Sequence, residues 1–314
     1  MLALICGAGD LPAAVAAALP EPPVVCALSG FAPEGLAPEI TFRIETLGSL
    51  LAMLKARGVT RVCLCGHIRR PTVDLAALDD ATLPLVPRLR DALMQGDDGA
   101  LRVVLALFQE AGFGILAAHE AAPGLLPAQG VPTRAGLPDA VAALAVLGDA
   151  TLVELGRADA GQACVIREGQ VVAREGPEGT DAMLAALAAR DRAPVSGAAD
   201  PLSWLVDGVD AALGQAADWL SNAPQRRAGI LFKAPKPGQD RRADLPVIGP
   251  GTAQAAAAAG LAGIVIEAGG VMVLHPARVI AALDAAGLFL WVRPAPGAGL
   301  PPRAAGALPL SGAP

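Results

Sequence analysis

The sequence predicts an α/β protein of two domains, the N-terminal one Rossmann-like with a mainly parallel sheet. Short apolar runs alternate with alanine- and leucine-rich helical stretches through both halves. The length of 314 residues suits two domains at ~100–200 residues each. A Gly- and Pro-rich stretch without periodicity, residues 124–138, falls near the middle and reads as the linker. The expected division is residues 1–130, residues 131–293, and a Pro/Gly/Ala tail, 294–314, that is expected to be disordered.

In chain order, residues 2–6 read as a strand and the glycine turn after them leads into a helix over 11–19, with Pro12 in its first turn. Strands follow at 24–28 and 40–44, then an amphipathic helix over 47–57 closed by Gly58, and a strand over 61–68. A loop over 69–87 leads to helices around 88–94 and 100–111 and a strand at 114–118. The second half opens with a helix from about Asp139. A hairpin then pairs 163–167 with 171–175 around Glu168-Gly169, and a helix starts at Thr180 and Asp181, both good N-caps. Leu202, Leu205, Val206, Val209, Leu213, Ala216 and Leu220 follow helical spacing, with Trp204 and Trp219 near the ends, so an added amphipathic helix is expected near 201–221. Strands at 229–232, 263–267, 271–274 and 288–292 alternate with helices over 252–259 and 276–286.

Composition excludes several classes. Although 54% of residues are hydrophobic, the longest charge-free stretch, 245–266, is broken by Pro246, Pro250 and glycines, so no spanning helix is expected. The N-terminus has no basic region before its apolar run and carries Asp10, which argues for a cytoplasmic chain without a signal peptide. The net charge of −6 and the absence of tyrosine argue against nucleic-acid binding. Five cysteines sit mostly in strand-like runs as small buried hydrophobes; Cys63 and Cys65 are one residue apart, not a CxxC, and His67 does not complete a ligand set.

Gly7-Ala8-Gly9 opens like a dinucleotide fingerprint, but the third glycine is replaced by Pro12, Asp10 would face a pyrophosphate, and no acid ends the second strand. A nicotinamide oxidoreductase is thereby disfavoured, and the loop is either a tight turn or a nucleotide-facing turn. In Gly66-His67-Ile68-Arg69-Arg70-Pro71 the two arginines fall beyond a strand's carboxyl end, where forked guanidinium groups suit phosphate. Gly96-Asp97-Asp98 can cap a helix or hold a metal, and Gly179-Thr180-Asp181 marks a helix start whose free amides attract anions. His67, His119 and His275 are scattered and read as structural.

The densest constellation is residues 233–244, with Lys233, Lys236, Arg241 and Arg242 among Asp240, Asp244, Gln239, Pro235, Pro237 and Gly238. Two of the chain's three lysines are here. The prolines stiffen the loop, the glycine permits close backbone approach, and the mixed charges could bind a diphosphate while Asp240 or Asp244 holds Mg²⁺ or orients water.

GAGDLP at 7–12, SGF at 29–31, GHIRRP at 66–71, GDD at 96–98, EGTDAM at 178–183 and KAPKPGQDRRADLPVIGP at 233–250 together resemble one family. It is the UDP-2,3-diacylglucosamine pyrophosphatase of bacterial lipid A synthesis, the kind unrelated to calcineurin-like phosphoesterases. The resemblance spans roughly residues 1–292, and the stretch from Lys236 onward is its most specific part. It implies Mg²⁺-dependent hydrolysis of UDP-2,3-diacylglucosamine to UMP and 2,3-diacylglucosamine 1-phosphate in a Gram-negative bacterium, by water attack on the β-phosphorus. It places the catalytic aspartate at Asp240, with Asp244 and the turn from Gly179 to Asp181 lining the same site.

The expected substrate contacts are Gly7, Gly9, Asp10, Arg69, Arg70, Gly179, Thr180, Asp181, Lys233, Lys236, Gln239 and Arg242; the expected ligands of Mg²⁺ or another divalent cation are Asp240 and Asp244. The expected partners are the lipid substrate, the inner-membrane surface through peripheral contact, and a second copy in a homodimer. The added helix and the tail depart from the family pattern. That helix covers the acyl chains or touches the membrane, or is an ordinary extra core helix. The competing class is a non-catalytic sugar-nucleotide or lipid-phosphate binding protein that uses the same basic loop.

Overall fold

A computed structural model describes residues 1–68, 72–94, 96–192, 227–242 and 244–295. Arg69, Arg70, the helix expected near 201–221 and the tail beyond 295 lie outside the described residues. No helix among the described residues is long and apolar enough to cross a membrane.

The N-terminal half is built from β1 (Leu2–Cys6), α1 (Leu11–Ala18), β2 (Val24–Leu28), β3 (Ile40–Phe42), α2 (Leu47–Ala56), β4 (Arg61–Cys65), α3 (Val86–Leu93), α4 (Asp97–Glu110), β5 (Gly114–Ile115) and α5 (Ala118–Ala121). All five strands are parallel, in the order β3-β2-β1-β4-β5. The pleat sends alternate residues to opposite faces. Ala3 and Ile5 join Leu50 and Leu54 of α2 and Leu105 and Phe108 of α4 on one face. Leu4, Cys6, Cys63 and Cys65 join Val15 of α1 and Ala118 of α5 on the other. All five cysteines are free and buried.

The C-terminal half contains α6 (Val141–Arg157), β6 (Ala163–Arg167), β7 (Gln170–Arg174), α7 (Thr180–Arg192), β8 (Ile230–Lys233), β9 (Val247–Ile248), α8 (Pro250–Ala258), β10 (Gly263–Glu267), β11 (Met272–Val273), α9 (Pro276–Ala286) and β12 (Phe289–Arg293). The main sheet runs β12-β10-β8-β6-β7. Strands β8, β10 and β12 are parallel, and β6 is antiparallel to both neighbours. Glu168 and Gly169 turn the hairpin with φ of 49° and 74°, the two positive values that a type I′ turn requires. Helices α7, α8 and α9 cover one face through Leu184, Ala256, Val279 and Leu283. Helix α6 covers the other through Val141, Ala145, Leu152 and Leu155.

A feature absent from the sequence expectation is β9, which pairs with β11 as a separate two-stranded parallel ribbon. Its two residues lie between Pro246 and Gly249-Pro250, too short for a periodic signal. Met272 of this ribbon and Leu245 just before it pack with Leu4, Cys6 and Cys65 of the N-terminal sheet, so this segment joins the two halves.

In the N-terminal sheet the chain leaves β1 for β2 on one side and places β4 on the other, so the crevice beyond β1 and β4 is the switch point where open α/β sheets bind ligands. There the Gly7 amide donates to the Cys65 carbonyl at 2.9 Å, and Ala8 and His67 exchange two backbone hydrogen bonds at 2.8 and 2.9 Å. A Cβ on Gly7 would stand 2.5 Å from the His67 carbonyl oxygen. Gly7→Ala is therefore expected to destabilise the fold by about 1–3 kcal/mol through overpacking. Urea denaturation checks this, and an unchanged midpoint would show that the two loops separate freely.

Candidate active site

Strands buried on both faces carry their charge at their ends. In the C-terminal sheet the carboxyl ends of β8, β10 and β12 are Lys233, Glu267 and Arg293, and Glu175 follows β7 at the same edge. All four are buried, between 5% and 7% exposed, and each has a partner of opposite charge. The Lys233 Nζ donates to the Thr180 hydroxyl at 2.6 Å and lies 3.7 Å from Glu175, to which the Thr180 hydroxyl donates in turn. Glu267 meets Arg241 at 3.2 Å and Arg293 at 3.7 Å, and Arg293 also pairs with Asp149 and lies over the Phe232 ring at 5.0 Å.

The loop 233–244 leaves β8 into this polar edge. Gln239 is its internal brace: its Oε1 accepts from the Lys236 amide at 3.0 Å, and its Nε2 donates to Gln162 at 3.1 Å and to Asp244. The Lys236 Nζ lies 2.9 Å from Asp159 and 3.2 Å from Asp98. Burial pushes the Lys236 ammonium down, but its bond to Asp159 and the pull of Asp98 outweigh this and hold it above the ordinary lysine value.

The two aspartates of the loop differ. Asp240 is gripped by Arg242, whose Nη2 donates at 2.7 Å to one oxygen while Nε and the backbone amide donate at 3.0 and 3.1 Å to the other. That bidentate pair holds the Asp240 carboxyl below the usual range, so it is ionised at neutral pH. Asp244 is pushed up by burial, reinforced by Asp98 and opposed by the Gln239 hydrogen bond and the two lysines.

The structure thus brings together Lys233 and Thr180, then Lys236, Gln239 and Asp244, then Asp240 and Arg242. Asp181 accepts from the Thr252 hydroxyl at 3.0 Å, near the start of α8, and Gly179 turns into α7 with φ of 87°. Thr180 and Asp181 do not cap α7 as expected, because the Thr180 oxygen accepts from the Lys233 ammonium and the Asp181 carboxylate accepts from Thr252. Gly7, Gly9 and Asp10 lie at the other crevice, with the Gly7 amide already engaged and Asp10 3.7 Å from His275 Nε2. His275 holds a left-handed φ of 49° at the start of α9.

Sequence reasoning missed Glu175, Gln162, Asp159, Glu267, Arg293 and Asp149 as members of this network, and also Arg102, whose Nη2 donates to the Gly238 carbonyl of the loop. For Glu175, Glu267 and Arg293 a signal existed, a charged residue ending an apolar strand run. For Asp159 and Gln162, which sit in a turn, none did.

Among the described residues no group of three or more His, Cys, Asp or Glu side chains is arranged to hold a metal ion. A fully protein-built cation cage is therefore not what these residues offer. Two carboxylates in a lysine- and arginine-rich loop fit the mode in which Mg²⁺ takes one or two protein carboxylates and completes its shell with phosphate oxygens and water.

Comparison with known proteins agrees with this architecture. A family described as LpxI N-terminal domain matches residues 1–125, and one described as LpxI C-terminal domain matches residues 128–198 and 205–291. The UDP-2,3-diacylglucosamine pyrophosphatase LpxI of Caulobacter vibrioides is 38% identical over 295 residues, covering 92% of this chain and 96% of that protein. With both halves matched in order and a relative of this identity aligned almost end to end, the chain belongs to the LpxI family.

Proposed function

We propose that this chain hydrolyses the diphosphate of UDP-2,3-diacylglucosamine, releasing UMP and 2,3-diacylglucosamine 1-phosphate for lipid A synthesis. The observation that carries this reading is the loop 233–244, which sets two lysines, an ionised Asp240 and Arg242 at the carboxyl ends of the parallel strands β8, β10 and β12, in a chain of the LpxI family.

Diphosphate hydrolysis needs cations placed against the transferring and leaving oxygens more than it needs a protein nucleophile. Arg69 and Arg70 serve the phosphates as forked donors, Arg242 meets them with the Nη1 edge that its pair with Asp240 leaves over, and Lys233 and Lys236 lie on the buried side of the site. The Gly179 to Asp181 turn and the Gly7, Gly9 and Asp10 loop complete the substrate contacts. Water attacks the β-phosphorus: a new oxygen–phosphorus bond forms on the lipid side, the bond from that phosphorus to the bridging oxygen breaks, and UMP leaves with the bridging oxygen. Asp240, held as a carboxylate by Arg242, orients that water and accepts its proton. Asp240 and Asp244 would also hold Mg²⁺, which when bound polarises a phosphoryl oxygen. The lipid substrate brings the enzyme to the cytoplasmic face of the inner membrane as a peripheral protein.

With purified protein, UDP-2,3-diacylglucosamine and Mg²⁺, UMP is expected to appear and to be abolished by EDTA. Asp240→Ala is expected to cut turnover by roughly a hundredfold or more while still binding the lipid. Binding without any UMP from well-folded wild-type protein would instead favour a non-catalytic carrier of the same ligand.

Asp244→Asn gives a second check with the sign worked out. Because burial raises the Asp244 carboxyl above its unfolded value, ionising it opposes folding as pH rises through that value. An asparagine keeps an acceptor for Gln239 and removes the buried charge. The variant is expected to show a higher denaturation midpoint than wild type at neutral pH and lower UMP release; a lower midpoint would show that the charge itself supports the loop.

A further inference from the structure

The loop 233–244 belongs to the C-terminal domain, yet two of its fixings come from the N-terminal one. The Lys236 ammonium, on a side chain only 9% exposed, is shared between Asp159 of its own domain and Asp98 in the first turn of α4. One turn further along α4, on the same face, Arg102 donates from Nη2 to the Gly238 carbonyl at 2.8 Å. Gly96, just before α4, packs so close to Asp159 that a side chain there would collide with its carboxylate. The start of α4 and the loop are therefore in direct contact.

We propose that α4 is a positioning element for the hydrolytic loop, with Asp98 and Arg102 as its positioning residues: Asp98 fixes Lys236, and Arg102 fixes the Gly238 turn that aims Asp240. The catalytic consequence rests on the hydrolase reading above. Pro235 and Pro237 restrict the loop on one side, and Pro237 packs against Gly156 of α6. Gly238, with φ of 78°, is the free joint two residues before Asp240, and its carbonyl is held from outside the loop by Arg102. Gln239, next in line, is held by Gln162 and Asp244. Each residue from Lys236 to Gln239 thus has its own fixing, with α4 holding Lys236 and Gly238 and the C-terminal domain holding Lys236, Pro237 and Gln239. As an exposed side chain at a helix surface, Arg102 supports the loop without being part of the core.

The test uses the full chain in Arg102→Ala, Arg102→Lys and Asp98→Asn forms, with hydrogen exchange across residues 236–242 read beside steady-state UMP release. In Arg102→Ala the loop amides are expected to exchange about tenfold faster while those of β10 keep wild-type protection. The same variant is expected to lose about a hundredfold in kcat with KM little changed, the signature of misplacement in the transition state. Arg102→Lys restores part of both, and Asp98→Asn shows a milder form of each. Unchanged exchange and kcat in Arg102→Ala would overturn the proposal. So would a loosened loop with full kcat, or lost kcat with an undisturbed loop. If wild-type protein releases no UMP, the hydrolase reading fails by itself, and the exchange data still decide whether α4 holds the loop.

Discussion

A parallel strand packed on both faces leaves no place for charge except its ends, and that constraint organises this molecule. Ile230, Leu231 and Phe232 are buried along β8, as are Gly263 through Ile266 along β10, so Lys233 and Glu267 come at the first position where a polar partner can be met. Once lysine and glutamate are buried there, each needs an opposite charge and a hydrogen bond, because an unpaired buried ion costs several kcal/mol. Thr180, Glu175, Arg241 and Arg293 meet that need. The polar edge is as much a requirement of folding as an arrangement for catalysis.

The same reasoning explains why the loop after β8 is well defined despite its prolines and lack of regular hydrogen bonding. Lys236 is nearly as buried as Lys233, and breaking one member of such a pair typically costs about 3–5 kcal/mol. The loop follows where its lysine is anchored. Asp240, by contrast, keeps part of its surface open and its charge secured by a neighbour two residues away, so it stays available to a ligand without destabilising the core.

Much of the fold was legible because local rules agree with it. Strand runs such as 2–6 and 163–167, Gly58 after α2 and Pro12 in the first turn of α1 each announce their element through periodicity or backbone chemistry. The loop 233–244 was legible for a related reason, since lysines are scarce elsewhere in the chain. What was not legible depends on pairing at a distance. Ribbon strand β9 exists only because Met272 and Val273 lie beside it, and Asp159 and Gln162 join the site because a turn far along the chain happens to face the loop. Thr180 misled for the opposite reason: its type and place suit a cap, but a buried lysine and glutamate compete for its hydroxyl and win.

The β9–β11 ribbon bears on whether the two halves are autonomous. It belongs to the C-terminal half, yet Leu245 and Met272 complete the apolar layer over Leu4, Cys6 and Cys65 of the other half. Cutting the chain between its two halves would divide a hydrophobic layer between two fragments, leaving the first with thiols and leucines open to water and the second with a ribbon lacking its seat. A substitution in this shared layer is therefore felt by both halves at once.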